Sequence, residues 1–561
     1  MILSKRILIL AFILFSCLSE ISAQTVVEIK GDQFYINGKP TYPGRTWNGY
    51  KVEGLLINSR MVQGIFDDLN PVTVNSFAYP DTKKWDANRN TGEFVAAMPE
   101  WHSYGLNCFT INMQGGSPLG YGTSQCLNPG FKPDGSLMKP YMQRLDRVLQ
   151  QADKLQMVVI LGIFYFGQDQ YLTDETAVKN ATKNLINWLF EKGYRNVIIE
   201  IANETNIKSY DHKILEPDRI HELIDLVKGI EKNDHRFLVG TSFSGITVPT
   251  PNVIKASDFL LIHGNGAKNP DQIQKLIDDT RKADGYRPMP IVNNEDDHYD
   301  FDKESNNFTV SIKNYCSWGY FDFRFPGETN YKEGYQSVPV DWGIHSERKK
   351  AFFNKVKEIT GGNYKFESTD IGSPAIVGSS TIEDNTISII AGGTDIWGTK
   401  DEFRFSYFEQ TGDFDLVTRI ESLTAPHLYT KAGLMAREEL TDNSRHIFFQ
   451  VFPNNNPRNK NNGGYEFQYR QAKAGEMKAI YPAKSDGVPE FPVNYPNTWI
   501  RLKRLGNDFT GFYSTDGKSW KEYTRFTMEL SEKVYLGLAV TSHNAKESAT
   551  AVFKDISLLK Q

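Results

Sequence analysis

The chain is poor in cysteine, with four in 561 residues. Cys108, Cys126 and Cys316, the three beyond the N-terminal leader, are too few for a disulfide framework, and none stands in a C-x-x-C or Cys/His zinc spacing. No metal and no other cofactor is expected, and stability must come from ordinary burial, with at most one bridge left open. An excess of cations is also missing. The formal net charge is −5, and no dense Lys/Arg run carries interleaved aromatics, which argues against a nucleic-acid partner. No apolar run beyond the leader is long enough to span a membrane. Finally, no G-x-G-x-x-G follows the first strand, as an open dinucleotide-binding sheet would require.

What is present begins with an export leader, residues 1–23. Lys5 and Arg6 precede the apolar run ILILAFILF, and the segment closes at ISAQ, where cleavage after Ala23 suits the small-residue preference. Two other readings stay open, a lipoprotein signal LFSC with Cys17 lipidated and an uncleaved anchor. The expected location is secreted or periplasmic, with an outer-surface lipoprotein as the alternative.

From 24 to 362, strand-like and helix-like segments alternate. After a hairpin at DQFYINGKP come TYPGRTWNG, LNCFTINMQGG, MVVILGIFYFG, NVIIEIANETN, RFLVGTSFSG, DFLLIHGNG, PMPIVNNEDDH and SWGYFDFR. Between them lie amphipathic stretches such as YMQRLDRVLQQADKL, with Met142, Leu145, Val148 and Leu149 on one stripe. Eight such units predict a (β/α)8 TIM barrel, whose working groups gather at the C-terminal strand ends. Those ends offer Arg45, Trp47 and Asn48; Asn112 and Gln114; Tyr165 and Gln168; Asn203 and Glu204; Ser242; His263 and Asn265; Asn294 and Glu295; and Trp318, Asp322 and Arg324. Rings that stack on sugar faces and amides that bond hydroxyls suit a neutral, polyhydroxylated substrate, so an oligo- or polysaccharide is the expected partner.

Two carboxylates stand out. Glu200 and Glu204 occur in VIIEIANETN, where a strand covered on both faces runs into acids that are costly to bury without partners or chemistry. Glu295 closes the matching stretch IVNNEDD. These motifs resemble those of clan A of the retaining glycoside hydrolases, the cellulase-like superfamily, in which an Asn-Glu pair ends strand four and a second Glu ends strand seven. Glu204 and Glu295 lie 91 positions apart, and three βα units of about 30 residues fill that interval. The resemblance implies Glu204 as acid/base, Glu295 as nucleophile, Asn203 on the sugar 2-hydroxyl, and His263 and Trp318 around the first sugar. Thr205 replaces the proline common after the acid, Asn265 stands where a tyrosine often orients the nucleophile, and strand two offers no arginine, for which Arg45 is a substitute. Structural rivals stand beside each role: a paired inward carboxylate for Glu200, buried ion pairs for Glu204 and Glu295, a satisfied polar group for His263, plain core for Trp318. The acidic run EDDHYDFDKESNN lacks the glycine and glutamate of an EF-hand, leaving only an irregular calcium site.

Past 362 the helical periodicity ends, and alternating strands with Gly, Asn and Asp turns follow, as in WIRLKRLGNDFTGFYSTDGKSW. Residues 363–561 are expected to form an all-β jelly-roll sandwich. DIGSPA, GGTDIWGT and KAGLMARE resemble the concanavalin-like, laminin-G-like sandwich, which implies carbohydrate or partner binding, or a purely structural module. The function expected is an exported retaining glycosidase acting on a β-linked glycan; the alternative is a non-catalytic glycan-binding or adhesin-like protein. Insertions after strands one and two would wall a pocket and favour exo action.

Overall fold

Runs of β-branched residues such as VVILGIFY and VIIEIAN are fully buried and form the centre of a parallel sheet. The computed structural model describes residues 24–121, 125–362, 366–383, 386–454, 463–481 and 490–558; the expected leader with Cys17 lies outside the described residues. Barrel strands 1 to 8 are Asn58–Arg60, Cys108–Asn112, Val158–Tyr165, Val197–Asn203, Leu238–Gly240, Leu260–His263, Ile291–Asp296 and Ser317–Tyr320. They pair in parallel in the order 5-4-3-2-1-8-7-6, and a parallel bridge between Ser242 and Leu261 joins strands 5 and 6, closing the ring.

Each strand is followed by one helix: α1 (Ala87–Ser103), α2 (Lys139–Lys154), α3 (Glu175–Lys192), α4 (His221–Lys228), α5 (Pro251–Ala256), α6 (Pro270–Lys282), α7 (Asn307–Lys313) and α8 (Glu347–Thr360). Local sequence sets their ends. The Asp86 side chain accepts from the backbone of Asn88 and Arg89 at the start of α1, and α3 stops at Gly193, whose φ of 82° suits a left-handed cap. The stripe Met142, Leu145, Val148 and Leu149 of α2 is buried.

One correction concerns the first strand. The stretch TYPGRTWNG forms only a two-residue pairing of Thr46–Trp47 with Tyr50–Lys51, outside the barrel; the true strand 1 lies in the next apolar run, GLLINSR. The hairpin of Val27–Lys30 and Gln33–Ile36 contributes Val27 and Phe34 to a cluster with Leu56, Cys108, Val158, Ile160, Ile198, Leu261 and Val292, plugging the N-terminal end of the barrel. Because side chains alternate along a strand, the next inward positions above that layer are Asn58, Thr110, Gly162, Glu200 and Asn294. The barrel interior therefore turns from apolar to polar toward the C-terminal strand ends. Cys108, Cys126 and Cys316 are all buried free thiols.

The chain then forms two seven-stranded antiparallel sheets, one from Glu367–Ile371 to Lys478–Ile480 and the other from Ser379–Glu383 to Lys521–Thr527 at its edges. They face each other across a core that includes Ile389, Leu416, Leu434, Phe449, Phe467, Leu502, Leu538 and Phe553. The sandwich meets the barrel at the end of α8. Phe366, Ile382, Ile387 and Ile556 face Tyr42, Arg45 and Thr360 across a cleft of about 950 Å³. Barrel helices run antiparallel to the strands, so this junction lies at the N-terminal face, opposite the strand ends that carry the polar layer. Among the described residues no helix is long and apolar enough to cross a membrane.

Candidate active site

Strand 1 delivers Arg60, fully buried, into the middle of the polar layer. Its Nε lies 2.5 Å from Glu295 Oε2, its Nη1 lies 3.5 Å from Glu200 Oε2, and its Nη2 donates to Asn203 Oδ1 at 2.5 Å. One guanidinium thus serves strands 4 and 7 together. An arginine suits this place because its planar fork stays charged in a dry interior and reaches several acceptors at once. Sequence reasoning placed the cation at Arg45; the signal for Arg60 was the period-two pattern Leu56, Asn58, Arg60 leading out of an apolar run.

Glu204 stands just past strand 4 with φ of 51°, a left-handed conformation that side chains rarely adopt. Neighbouring groups hold it there. Its N–H donates to Ser242 Oγ at 2.9 Å, and Ser242 Oγ in turn donates to Glu200 Oε1 at 2.6 Å, tying strands 4 and 5. Glu204 Oε1 shares a hydrogen bond with His263 Nδ1 at 2.9 Å. Burial pushes the Glu204 carboxyl up to about 7, against the opposing pull of Arg60. His263 is fully buried, and desolvation lowers its pKa, so the imidazole is held neutral.

Glu295, at the end of strand 7, accepts from Asn265 Nδ2 at 2.6 Å, and His263 Nδ1 lies 3.7 Å from its other oxygen. Burial raises its pKa, while the charge of Arg60 and the hydrogen bond from Asn265 favour its charged form. Ligand atoms of Glu204, His263 and Glu295 all lie within 4.8 Å of one another. That spacing is compatible with a cation, but Arg60 already supplies positive charge to Glu295. The neighbouring group Asp296, Asp297 and His298 has similar spacing. There Asp296 accepts from Asn293, Asn307 and Trp318 and bonds His298, which leaves its carboxylate engaged by protein.

The remaining sequence-derived residues divide. Asn203 has its Oδ1 fixed by Arg60 while its buried Nδ2 makes no hydrogen bond to the protein, and both side-chain polar atoms of Asn112 likewise lack protein partners. Gly162 leaves room for that amide, since a Cβ there would stand 2.2 Å from Asn112 Oδ1. Tyr165 is buried beside the pair, its pKa raised by desolvation and by the charge of Glu295. Gln114 braces the base of the site, its Oε1 accepting from the Tyr165 N–H and its Nε2 donating to Gln168 O.

Others do not reach the site. Gln168 ties a loop instead, accepting from Asn128 N and donating to Cys126 O. Trp318 is fully buried, stacked on Phe308 at 4.6 Å and donating its indole N–H to Asp296, so it is core rather than a sugar floor. Asp322 and Arg324 are likewise structural, the first paired with Arg348 and the second donating to the carbonyls of Ser337, Val338 and Pro339. Arg45 donates to the carbonyls of Glu358 and Ile359 at the end of α8, and Trp47 donates to Glu358 Oε1. Both lie at the opposite face of the barrel, and Asn48 is exposed in the same hairpin turn.

No family model and no curated protein matches the chain. Among solved structures it is similar to a glycoside hydrolase family 5 protein from Bacteroides vulgatus, with 10% identity over 93% of this chain and 94% of that one and a TM-score of 0.38. It is also similar to a broad-specificity endoglucanase from Clostridium longisporum, with 10% identity over 54% of this chain and 97% of that one and a TM-score of 0.37. A carbohydrate-binding module from Bacillus subtilis matches 34% of this chain and 95% of its own length at 15% identity, with a TM-score of 0.23.

Proposed function

We propose that this chain is an exported retaining glycoside hydrolase that cleaves a β-linked glycan by double displacement. The observation that carries the reading is the asymmetric carboxyl pair. Glu204 and Glu295 approach within 4.8 Å from the ends of strands 4 and 7, one lifted to about 7 by burial and the other clamped by a buried guanidinium. Burial raises both carboxyls, but of the two Glu295 faces the guanidinium at 2.5 Å and accepts from Asn265, contacts that favour its ionised form and suit it as nucleophile beside Glu204 as acid. Carboxyl oxygens within 4.8 Å of each other leave no room for a water between carboxylate and sugar, which favours retention over inversion.

Glu204, protonated near neutrality, gives its proton to the departing glycosidic oxygen while the Glu295 carboxylate attacks the anomeric carbon. A glycosyl ester forms and the aglycone leaves. Glu204, now ionised, removes a proton from water, which attacks the same carbon, releases Glu295 and yields the sugar with retained configuration. Asn203 Nδ2 is available to donate to the 2-hydroxyl, a contact that strengthens as charge develops in the transition state. Asn265 and Arg60 hold the Glu295 oxygens, and neutral His263 shares the Glu204 proton.

Export before action, catalysis within residues 24–362, and glycan binding or orientation by the sandwich belong to the same proposal. The test is a panel of aryl β-glycosides and polysaccharides offered to the chain starting at Gln24, with the anomeric configuration of the first product read by NMR. Turnover with retention, abolished in Glu295→Ala, is expected. Release of the inverted anomer would sink the double-displacement mechanism, and glycan binding without turnover would favour a non-catalytic receptor.

A further inference from the structure

Tyr121 had no role in the strand-end reading. It lies in the loop after strand 2, which crosses the ends of strands 1 and 8 to reach strand 7, where its phenol donates to Asp297 Oδ2 at 3.1 Å. Asp297 is two residues beyond Glu295. The ring packs edge-on against Phe321 and Phe323, at centroid distances of 5.4 and 4.9 Å, yet stays 53% exposed. It therefore has rigid backing and an open surface.

The loop beneath it is fixed. Gln63 and Gln336 both donate to the Gly116 carbonyl, and Val338 N–H donates to Pro118 O. Two close approaches require glycine: a Cβ at Gly116 would stand 2.1 Å from the Tyr165 ring, and one at Gly120, where φ is +100°, would stand 2.8 Å from Phe323. Asp297 follows Glu295 by two residues at the end of strand 7, whereas Glu204 stands at the end of strand 4, so the Tyr121 phenol sits on the nucleophile's side of the pair.

We infer that Tyr121, latched to Asp297, is the end wall of the glycone subsite and restricts the enzyme to chain ends. This role for Tyr121 rests on the glycosidase chemistry proposed above. The aglycone departs toward Glu204, which protonates it, so the sugar that stays bonded to Glu295 lies on the other side. A backed aromatic ring there offers one sugar a stacking face and obstructs the path of a second. The substrate class that follows is the non-reducing end of a β-linked oligosaccharide.

The test uses a hexasaccharide of whichever sugar the aryl-glycoside panel identifies, with initial products separated by length. Wild-type protein is expected to release monosaccharide and pentasaccharide only. Tyr121→Ala is expected to raise KM for the aryl monosaccharide about tenfold, on the scale of one lost aromatic contact, and to release di- and trisaccharides among its first products. Tyr121→Phe keeps the ring without the latch and should fall between the two. Products of all lengths from wild type, or an unchanged length distribution in folded Tyr121→Ala, would overturn the end wall while leaving the glycosidase reading intact. Absence of turnover by wild type on the whole panel would overturn both.

Discussion

Replacing Glu204 by glutamine removes its ionisation while keeping its shape and its contact with His263. In the folded protein this carboxyl titrates at about 7, against 4.5 when free, chiefly because burial penalises the charged form. At about 1.4 kcal/mol per pH unit, that displacement corresponds to roughly 3 kcal/mol. The sign follows from the direction: a raised carboxyl contributes stability that is fully present below pH 4.5 and lost as pH rises through about 7. Wild type and Glu204→Gln should therefore be nearly equal in stability near pH 4.5, and the variant should be more stable by about 3 kcal/mol above pH 8. The side chain is 12% exposed, so solvent screening takes little from this figure. Urea unfolding across that range, followed by tryptophan fluorescence, measures the difference. The kinetic counterpart uses a glycoside with a poor leaving group for wild type, where departure needs the Glu204 proton, and one with a good leaving group for Glu204→Gln, where it does not. Wild-type kcat/KM should fall on the alkaline side with a midpoint near pH 7, and Glu204→Gln should lose that limb. Its acidic limb should stay in place, because Glu204 is protonated and uncharged at the pH where that limb falls. A stability difference independent of pH, or an alkaline limb that survives in Glu204→Gln at the same midpoint, would refute the assignment of the proton to Glu204.

Arg60→Met leaves Glu200 and Glu295 buried without their shared cation; a loss of about 3–5 kcal/mol in unfolding free energy is expected, together with an upward shift of the acidic limb of kcat/KM as Glu295 becomes harder to ionise. Chelator treatment should leave turnover intact, since two carboxyl groups suffice for the chemistry; loss of activity restored by calcium or zinc would show otherwise. A chain ending at Gly362 should keep its kcat/KM on a soluble aryl glycoside, because the sandwich meets the barrel at the face opposite the carboxyl pair; loss of that activity in a folded truncated chain would place sandwich residues in the cleft.

The barrel was legible because its signal is repeated eight times, and a helix follows each strand. One unit departs from that pattern. Strand 1 contributes only Asn58–Arg60 to the ladder, while the more strand-like TYPGRTWNG upstream folds as a small hairpin at the other end. That one displacement moved Arg45, Trp47 and Asn48 into the candidate list and left Arg60 out. Glu204, Glu295, His263, Asn203 and Asn265 come together because each lies at the end of a strand whose boundaries were clear. Trp318 and Gln168 also lie at strand ends, but which way a side chain turns there depends on packing that sequence does not record. Phe308 and Asp296 draw Trp318 into the core, and Cys126 and Asn128 draw Gln168 into a loop. Tyr121 was beyond strand-end reasoning altogether, since its place depends on a loop that crosses two neighbouring strands.

The buried charges also bear on why Glu200 is present. A carboxylate that only completed the barrel interior would be replaceable by an apolar side chain, and such replacements are often neutral or stabilising. Here Glu200 touches both halves of the site: it faces Arg60 Nη1 at 3.5 Å and accepts from Ser242, whose Oγ also receives the strained Glu204 N–H. Substitution separates the two contacts. Glu200→Gln keeps an Oε1 acceptor for Ser242, and with it the link to the Glu204 N–H, and gives up only the pairing with Arg60. Glu200→Ala gives up both. If the Ser242 link holds Glu204 in place, Glu200→Gln should keep kcat within a few fold of wild type, while folded Glu200→Ala should lose most of its kcat and about 1–3 kcal/mol of stability through the unpaired Ser242 hydroxyl. Equal loss of kcat in both variants would show that Glu200 acts through Arg60 alone.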